Sequence, residues 1–519
     1  MNLVELAEHA IQEHGEHKSL IFDNKTYTNV QLFDDSRRLH TAFSRMGIGR
    51  GSNVVLCMVN HPMIFPVFGS IFRCGATAIP IMFALSAPEI RYILSDSGAE
   101  GVVTDTMCLD RIREAARGLD HIKWIVVLGG EDNVDGTPRE YALEPFLANE
   151  IEKKLPTIKG EDVAIMMYTS GTTGKPKGVM LTHDNLQAQG EASQKANELD
   201  TWEGPYISMS AMPMAHIFGV GVMVSGYLIP KHIVEQGSFG VQMAWFEPEQ
   251  FMSLIEKYDC NMIPAVPTML SLMMNHPKAN EFHLSSLKEV ICGASPLSEE
   301  LARSFESRFS CRIREIYGLT EAAGLGSANR RSKSYKPGSA GLAYHNIELR
   351  IFDPDDNPLP AGKPGEIVMK GPSVMKGYYN LPEKTEEAMK NGWLHTGDVG
   401  YLDEKGYLFV VDRVKDMIIR GGENIYPAEL EDILYGFPGV AEVAIVGVPD
   451  ETYGENIVAF VVAGPDTTLS QVELIEYMKT KTSSFKVPGK IHMVDSLPKT
   501  GVGKILRREL RDTAVSLEK

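Results

Sequence analysis

Tyr168-Thr169-Ser170-Gly171-Thr172-Thr173-Gly174-Lys175-Pro176-Lys177-Gly178 packs hydroxyls, glycines and two lysines into one short stretch. Its glycines let the backbone come close to an anion, its hydroxyls donate hydrogen bonds and its lysines offset charge, so the stretch is suited to holding phosphate. A strand-like run at 162–167 enters it and Thr182 is placed to cap a following helix, which puts the loop between a strand and a helix. A Walker loop is excluded by spacing, because Gly171 and Gly174 are separated by two residues where that motif needs four. The competing reading is a flexible Ser/Thr/Gly connection without a ligand.

Working outward, the chain of 519 residues is long enough for a large α/β domain and a smaller one. A net charge of −17 argues against general affinity for nucleic acid or anionic membranes, so an anionic ligand must be held by local groups. The six cysteines form no Cys-x-x-Cys pair, which suggests neither a zinc site nor a disulfide framework and fits a reducing, cytoplasmic setting. The first fifteen residues lack the layout of an export signal. Residues 207–230 are long and apolar enough to span a bilayer, but Pro213, His216 and three glycines favour a buried element beside a ligand pocket.

Apolar runs at 54–59, 78–82, 101–104 and 122–128 alternate with helical patterns such as 87–97. Alternating βα units predict a mainly parallel sheet covered on both faces. After Pro337 the texture changes to short strands and turns, with a hairpin around Glu404-Lys405-Gly406, predicting a β-rich subdomain. A small α+β unit follows from about residue 412. The expected division is therefore 1–411, a hinge at 412–416, and 417–519.

Four further motifs stand in order after the opening loop: Tyr317-Gly318-Leu319-Thr320-Glu321, Thr396-Gly397-Asp398, Asp412-Arg413-Val414-Lys415-Asp416 and Pro498-Lys499-Thr500-Gly501-Val502-Gly503-Lys504-Ile505. Together they resemble the class I adenylate-forming superfamily of acyl-CoA synthetases, luciferases and adenylation domains, over essentially the whole chain. Gly421-Gly422-Glu423-Asn424-Ile425-Tyr426-Pro427 is most similar to the fatty-acyl and aryl-CoA ligases.

The resemblance implies an ATP-dependent reaction in which a carboxylate is joined to the α-phosphate and the acyl group then passes to coenzyme A. Bringing an anion onto a polyanion needs cations: opposite charges ~4 Å apart attract by about 4 kcal/mol at an effective dielectric of 20. It implies that Thr169, Ser170, Gly171, Thr172, Thr173, Gly174, Lys175 and Lys177 hold the β- and γ-phosphates, Thr320 the α-phosphate and Glu321 Mg²⁺. Tyr317 would stack on adenine, with Gly293, Ala294 and Ser295 as the opposite wall, and Gly318 would belong to the ATP site. Asp398 would accept the ribose hydroxyls beside Arg413. Lys504 is the expected catalytic lysine, Lys415 the pivot, and Gly421, Gly422 and Glu423 the lining of a CoA tunnel. The acyl pocket is expected from His216, Phe218, Gly219, Val220, the stretch Ala265 to Thr268 including Val266, Gly318, Leu319 and Ala323, with His216 contacting the carboxylate. No Asp or Glu stands among these, which disfavours an amino-acid substrate.

The expectation is therefore an AMP-forming carboxylic acid:CoA ligase for a fatty, aromatic or alicyclic acid, using ATP and Mg²⁺, acting on small molecules and forming a homodimer by family resemblance. The alternatives are an adenylating enzyme that loads a carrier protein in trans, a luciferase, and a nucleotide-binding sensor without turnover. Acetylation of Lys504 would remove its charge and silence adenylation.

Overall fold

The computed structural model describes residues 1–134, 136–169, 175–413, 416–420, 423–450, 452–464, 467–499 and 505–517. The apolar runs near the N-terminus become Asn53–Cys57, Thr77–Pro80, Gly101–Asp105 and Trp124–Leu128. They pair in parallel, because each is joined to the next by a helix that must cross over a sheet face. One such helix, Ala87–Asp96, begins with a Ser86/Glu89 capping box. These strands form the middle of an eight-stranded sheet.

The phosphate loop does not lead into a helix. Strand Val163–Thr169 pairs antiparallel with Lys177–Thr182, so the loop joins the two strands of a hairpin, with Thr169 opposite Lys177. Val179 and Leu181 alternate inward and are fully buried, which holds the returning segment extended. The expected cap at Thr182 starts helix His183–Asn197 one strand later: its hydroxyl accepts from the Asn185 amide at 3.1 Å.

A thirteen-stranded sheet packs on the other side of that helix. Ile207–Ser210, Met262–Ala265, Glu289–Cys292 and Arg312–Gly318 form its parallel half. Beyond Arg312–Gly318 the pairing becomes antiparallel, first with Gly326–Ala328, and the β-rich stretch after Pro337 extends the same sheet to its edge. Helices His183–Asn197 and Ile217–Gly226 lie between the two sheets, burying Leu186, Val220 and Val224 with Val179 and Leu325 in one core. Each such side chain contributes roughly 1.5–3 kcal/mol of transfer free energy. The 207–230 segment is thus a strand and a ten-residue helix, and no helix among the described residues is long and apolar enough to cross a membrane.

From Ile418 onward the chain forms a separate five-stranded sheet centred on Val440–Asp450 and Gly454–Ala463, with helices Pro427–Tyr435, Gln471–Lys481 and Arg507–Leu517. Its brace is a buried ion pair: Arg507 reaches Glu431 at 2.5 and 2.9 Å and also donates to the Ile445 carbonyl.

Candidate active site

The site forms at the carboxyl ends of the parallel strands, where Arg312–Gly318 changes from a parallel to an antiparallel neighbour. A strand alternates its side chains, so Glu315 and Tyr317 face one side while Arg314, Ile316 and Gly318 face the other. On the first side the Tyr317 hydroxyl donates to Asp398 Oδ2 at 2.7 Å. Arg413, directly across the ladder from Asp398, lies 3.3 Å from its Oδ1. Burial, reinforced by the Asp398 charge, holds the Tyr317 phenol well above its ordinary pKa, so it stays a donor. Asp398 is further positioned through its amide, which donates to Thr396 Oγ1 at 3.1 Å.

The Tyr-Gly-Leu-Thr-Glu stretch then folds into a tight turn. A Cβ on Gly318 would sit 2.0 Å from the Gly324 carbonyl oxygen, so no larger residue fits. Thr320–Ala322 is a single 3-10 turn closed by the Ala323 amide to Thr320 carbonyl bond, with Ala323 in the left-handed region. The turn aims Glu321 at Tyr378, whose hydroxyl donates to Glu321 Oε1 at 3.0 Å. Lys177 Nζ lies 4.0 Å from the centre of the Tyr378 ring. A cation and a carboxylate from distant motifs therefore meet on one tyrosine, which the sequence reading did not single out. Among the described residues no cluster of three or more His, Cys, Asp or Glu could hold a metal. A lone Glu321 oxygen donor suits a hard cation that takes its remaining ligands from phosphate and water.

Opposite Tyr317, strand Glu289–Cys292 ends in Gly293, whose Cβ would lie 2.6 Å from Ile316 Cγ1. This close approach places Gly293 behind the wall, while Ala294 and Ser295 face the cleft. Ala294 has φ +71°, a strained conformation for a residue with a side chain.

His216 caps helix Ile217–Gly226, its Nδ1 accepting from the Phe218 amide at 3.2 Å. A neutral ring with Nδ1 as acceptor carries its proton on Nε2 and can donate from there. The helix offers the face of Phe218, Gly221, Val222 and Ser225 to the cleft, at helical spacing. Two expected pocket residues consequently fall elsewhere. Val220 points into the core and is fully buried, and Gly219 faces the Pro213 carbonyl, 2.3 Å from where its Cβ would be. Val266 likewise packs with the core below strand Met262–Ala265, whereas Pro267 and Thr268 of the same expected stretch line the cleft. Leu319 and Ala323 are on the wall as expected.

Tyr317, Asp398, Arg413, Tyr378 and His216 border one cleft of about 2220 Å³, which also includes Thr169, Lys177, Thr320 and Glu321 and runs on between the two lobes to Lys499 and Arg507. That exceeds the roughly 300–1,000 Å³ of an ordinary small-molecule pocket and leaves room for several substrates. Lys175 is off the wall, exposed, with Nζ 5.9 Å from the Tyr92 ring. Glu423 is exposed on a hairpin of the small lobe and is also off the wall. The expected roles of Ser170, Gly171, Thr172, Thr173, Gly174, Lys415, Gly421, Gly422 and Lys504 lie outside the described residues. The residues flanking the last of these are ordered by pairing: Lys499 bridges Ile505, and both border the cleft.

Carboxylates gather where the lobes meet. Burial pushes Glu315 up to about 8, aided by Glu299 and by Asp432 of the small lobe. Asp432 is raised to about 7 by burial and by Glu431 and Glu299. Burial raises Asp412 to about 6, although it accepts from the Ala428 amide at 3.0 Å and faces Arg507.

Residues 7–379 match the AMP-binding enzyme family, and 429–504 match the AMP-binding enzyme C-terminal domain. The chain belongs to the AMP-binding enzyme family. As such it is an AMP-forming ligase of the class I adenylate-forming superfamily. It is 36% identical to a feruloyl-CoA synthase of Amycolatopsis sp over 93% of each chain. It is 33% identical to a long-chain-fatty-acid–CoA ligase of Escherichia coli O6:H1, covering 99% of this chain and 94% of that one. Among solved structures it is similar to o-succinylbenzoate coenzyme A synthetase from Bacillus subtilis in complex with ATP and magnesium ion, with a TM-score of 0.81, 30% identity, and 98% and 99% of the two chains covered.

Proposed function

We propose that the enzyme is an ATP-dependent carboxylic acid:CoA ligase acting on an acid with an apolar body. A carboxylate oxygen attacks the α-phosphorus of ATP and pyrophosphate leaves; the thiolate of CoA then attacks the acyl carbonyl and AMP leaves. One observation carries this reading: the Tyr317–Asp398–Arg413 set and the Lys177–Tyr378–Glu321 set converge on a single cleft that also reaches His216.

Tyr317 stacks on adenine against Ala294 and Ser295, and Asp398 accepts both ribose hydroxyls in an orientation set by the Tyr317 hydroxyl. Thr169, the 170–174 loop and Lys177 cradle the β- and γ-phosphates. Thr320 binds the α-phosphate, and His216 donates from Nε2 to the acid's carboxylate. Glu321 holds Mg²⁺, which when bound neutralises phosphate charge. Lys504 enters from the small lobe between carboxylate and α-phosphate, where preorganised positive charge is worth most. Residues 1–411 are the binding domain, 412–416 the hinge with Lys415 as pivot, and 417–519 the mobile lobe. Once this lobe turns, Gly421, Gly422 and Glu423 line the path of CoA. The net charge of −17 and six unpaired cysteines support a cytoplasmic enzyme of small molecules. A homodimer rests on family resemblance alone and is read by light scattering.

Acid-dependent pyrophosphate release, followed by thioester formation with free CoA, tests the reading. Pyrophosphate release without thioester, rescued by a carrier protein, would redirect it to carrier loading. Release from ATP that no acid stimulates would contradict it.

A further inference from the structure

Strands Ile207–Ser210, Phe239–Gln242, Met262–Ala265 and Glu289–Cys292 run parallel, and parallel sheets are ordinarily closed to solvent on both faces. One face obeys this: Met209, Val241, Ile263 and Val290 are at most 2% exposed. The other face does not. Ser208, Gly240, Ile291 and, on the next strand, Ile316 are only half-buried, although helices cover that side. Arg314 of this face donates to the Ala196 carbonyl of helix His183–Asn197, and Ile229 and Ile233, just past helix Ile217–Gly226, pack with Met262 and Ile291. Val222 is 38% exposed on a helix that lies between two sheets. Helix Ile217–Gly226 therefore stands off the sheet, and the space beneath it is continuous with the cleft at Gly318.

The strand register makes these residues one floor. Ile291 is level with Pro264, Ser208 with Gly240, and Gly240 with Leu20 of strand Lys18–Phe22. From Ile316 to Gly240 the floor crosses four strand spacings, roughly 19 Å in all. It is apolar at Ile316, Ile291 and Pro264, small at Ser208 and Gly240, and ends at the buried Leu20. A glycine inside a strand weakens it and marks close approach by another group. Gly240 has no such neighbour in the free enzyme: the three atoms nearest to a Cβ there are Ser208 Oγ at 3.5 Å, Leu20 Cδ1 at 3.6 Å and the Ser19 carbonyl oxygen at 3.8 Å, all of its own sheet. Nor is its φ in the left-handed region. Neither packing nor backbone conformation requires glycine, whereas a ligand lying across the floor does.

We propose that Gly240, with Ser208 beside it, sets the chain length of the acyl pocket, and that the enzyme takes straight aliphatic acids long enough to cross the sheet. A saturated chain advances roughly 1.25 Å per carbon, so an acid of about fourteen to sixteen carbons reaches Gly240 from a carboxylate at His216. Each methylene withdrawn from water adds to binding until the chain meets Leu20, so preference climbs with length and then stops. An aryl acid of cinnamate size leaves the far end empty. The inference rests on the ligase reading and names its substrate class.

The test measures kcat/KM by acid-dependent pyrophosphate release for octanoate, dodecanoate, hexadecanoate and cinnamate. Hexadecanoate should exceed octanoate and cinnamate by at least about 10-fold. Gly240→Ile introduces a β-branched side chain that suits a strand and meets only ordinary contacts at its Cβ, and it fills the far end. It should lower the hexadecanoate-to-octanoate ratio by about 10-fold and move the optimum toward dodecanoate. The ratio is taken within one preparation, so a partly inactive variant does not move it. Ser208→Ile should act the same way, and serves if Gly240→Ile does not fold. Equal or lower kcat/KM for hexadecanoate than for octanoate or cinnamate, as a merely water-filled space would give, overturns the inference and leaves the ligase reading standing. So does an unchanged ratio in both folded variants. Absence of acid-stimulated pyrophosphate release across the whole panel contradicts the ligase reading itself and takes this inference with it.

Discussion

The nucleotide end of the cleft and its acyl end are built on opposite faces of one strand, and they treat polar groups in opposite ways. On the Tyr317 face the site side chains are held by partners: Tyr317 to Asp398, Asp398 to Arg413, Tyr378 to Glu321. Across the cleft, on helix His183–Asn197, Gln189 Oε1 and Gln194 Nε2 are unpaired among the described residues, whereas Arg314 on the Gly318 face is ion-paired with Glu289 and lacks a partner only at Nε. A rigid, satisfied constellation suits a ligand that never changes, while the apolar wall of Phe218, Val222 and Leu319 offers few directional contacts and would discriminate between acids only weakly.

The sharpest way to break this comparison is at the residue that serves both ends. Lys504→Ala should lower adenylation by about 10³-fold while CoA still attacks supplied acyl adenylate, because only the first step needs charge between carboxylate and α-phosphate. Rapid-quench assays of each half-reaction would show whether the two separate. Next in size, Asp398→Ala should reduce kcat/KM for ATP by about 10²-fold with little change in the acid's KM, since it removes a charged acceptor and leaves Tyr317 unanchored. His216→Ala should do the converse, raising the acid's KM about 10-fold with that for ATP held. Similar effects of both variants on both substrates would mean that the two ends are not independent.

The boundary between the lobes sharpens the comparison through pH. Burial holds Glu315, Asp432 and Asp412 up at about 8, 7 and 6 in the native state, above the ordinary carboxylate range. Raised carboxyl pKa values mean that the folded protein keeps protons the unfolded chain has released. Stability is therefore highest below about pH 4 as far as these groups are concerned, and falls as pH rises toward 8. Thermal unfolding between pH 6 and 8.5 should show a falling midpoint. Glu315→Gln with Asp432→Asn should flatten that fall, and an unchanged slope would contradict the assignment. Smallest is Ala294→Gly, which removes the strain of φ +71° in the cleft wall and should stabilise the fold by about 0.5–1 kcal/mol in denaturant titration.

Much of this was legible in the sequence because it is local. Apolar runs set the parallel strands, Thr182 announced its helix, and Tyr317 to Glu321 carried the adenylate turn, where Gly318 is the one residue that tolerates the Gly324 carbonyl. What sequence missed depends on long-range contacts. The run after the phosphate loop folds back as a strand because Val179 and Leu181 find a core, so the expected strand-to-helix transition became a hairpin. Tyr378 arrives beside Glu321 from strand Gly377–Tyr378, which pairs with the returning strand and has no motif of its own. Gly219 and Val220 were expected on the acyl wall beside Phe218, but a helix turns about 100° per residue, and Gly221 and Val222 take those places.

The most direct measurement is a crystal structure with a non-hydrolysable acyl-adenylate mimic. The account predicts adenine between Tyr317 and Ala294–Ser295, both ribose hydroxyls on Asp398, and the acyl group passing His216 and Gly318. A mimic bound elsewhere, or bound here with its ribose away from Asp398, would contradict it.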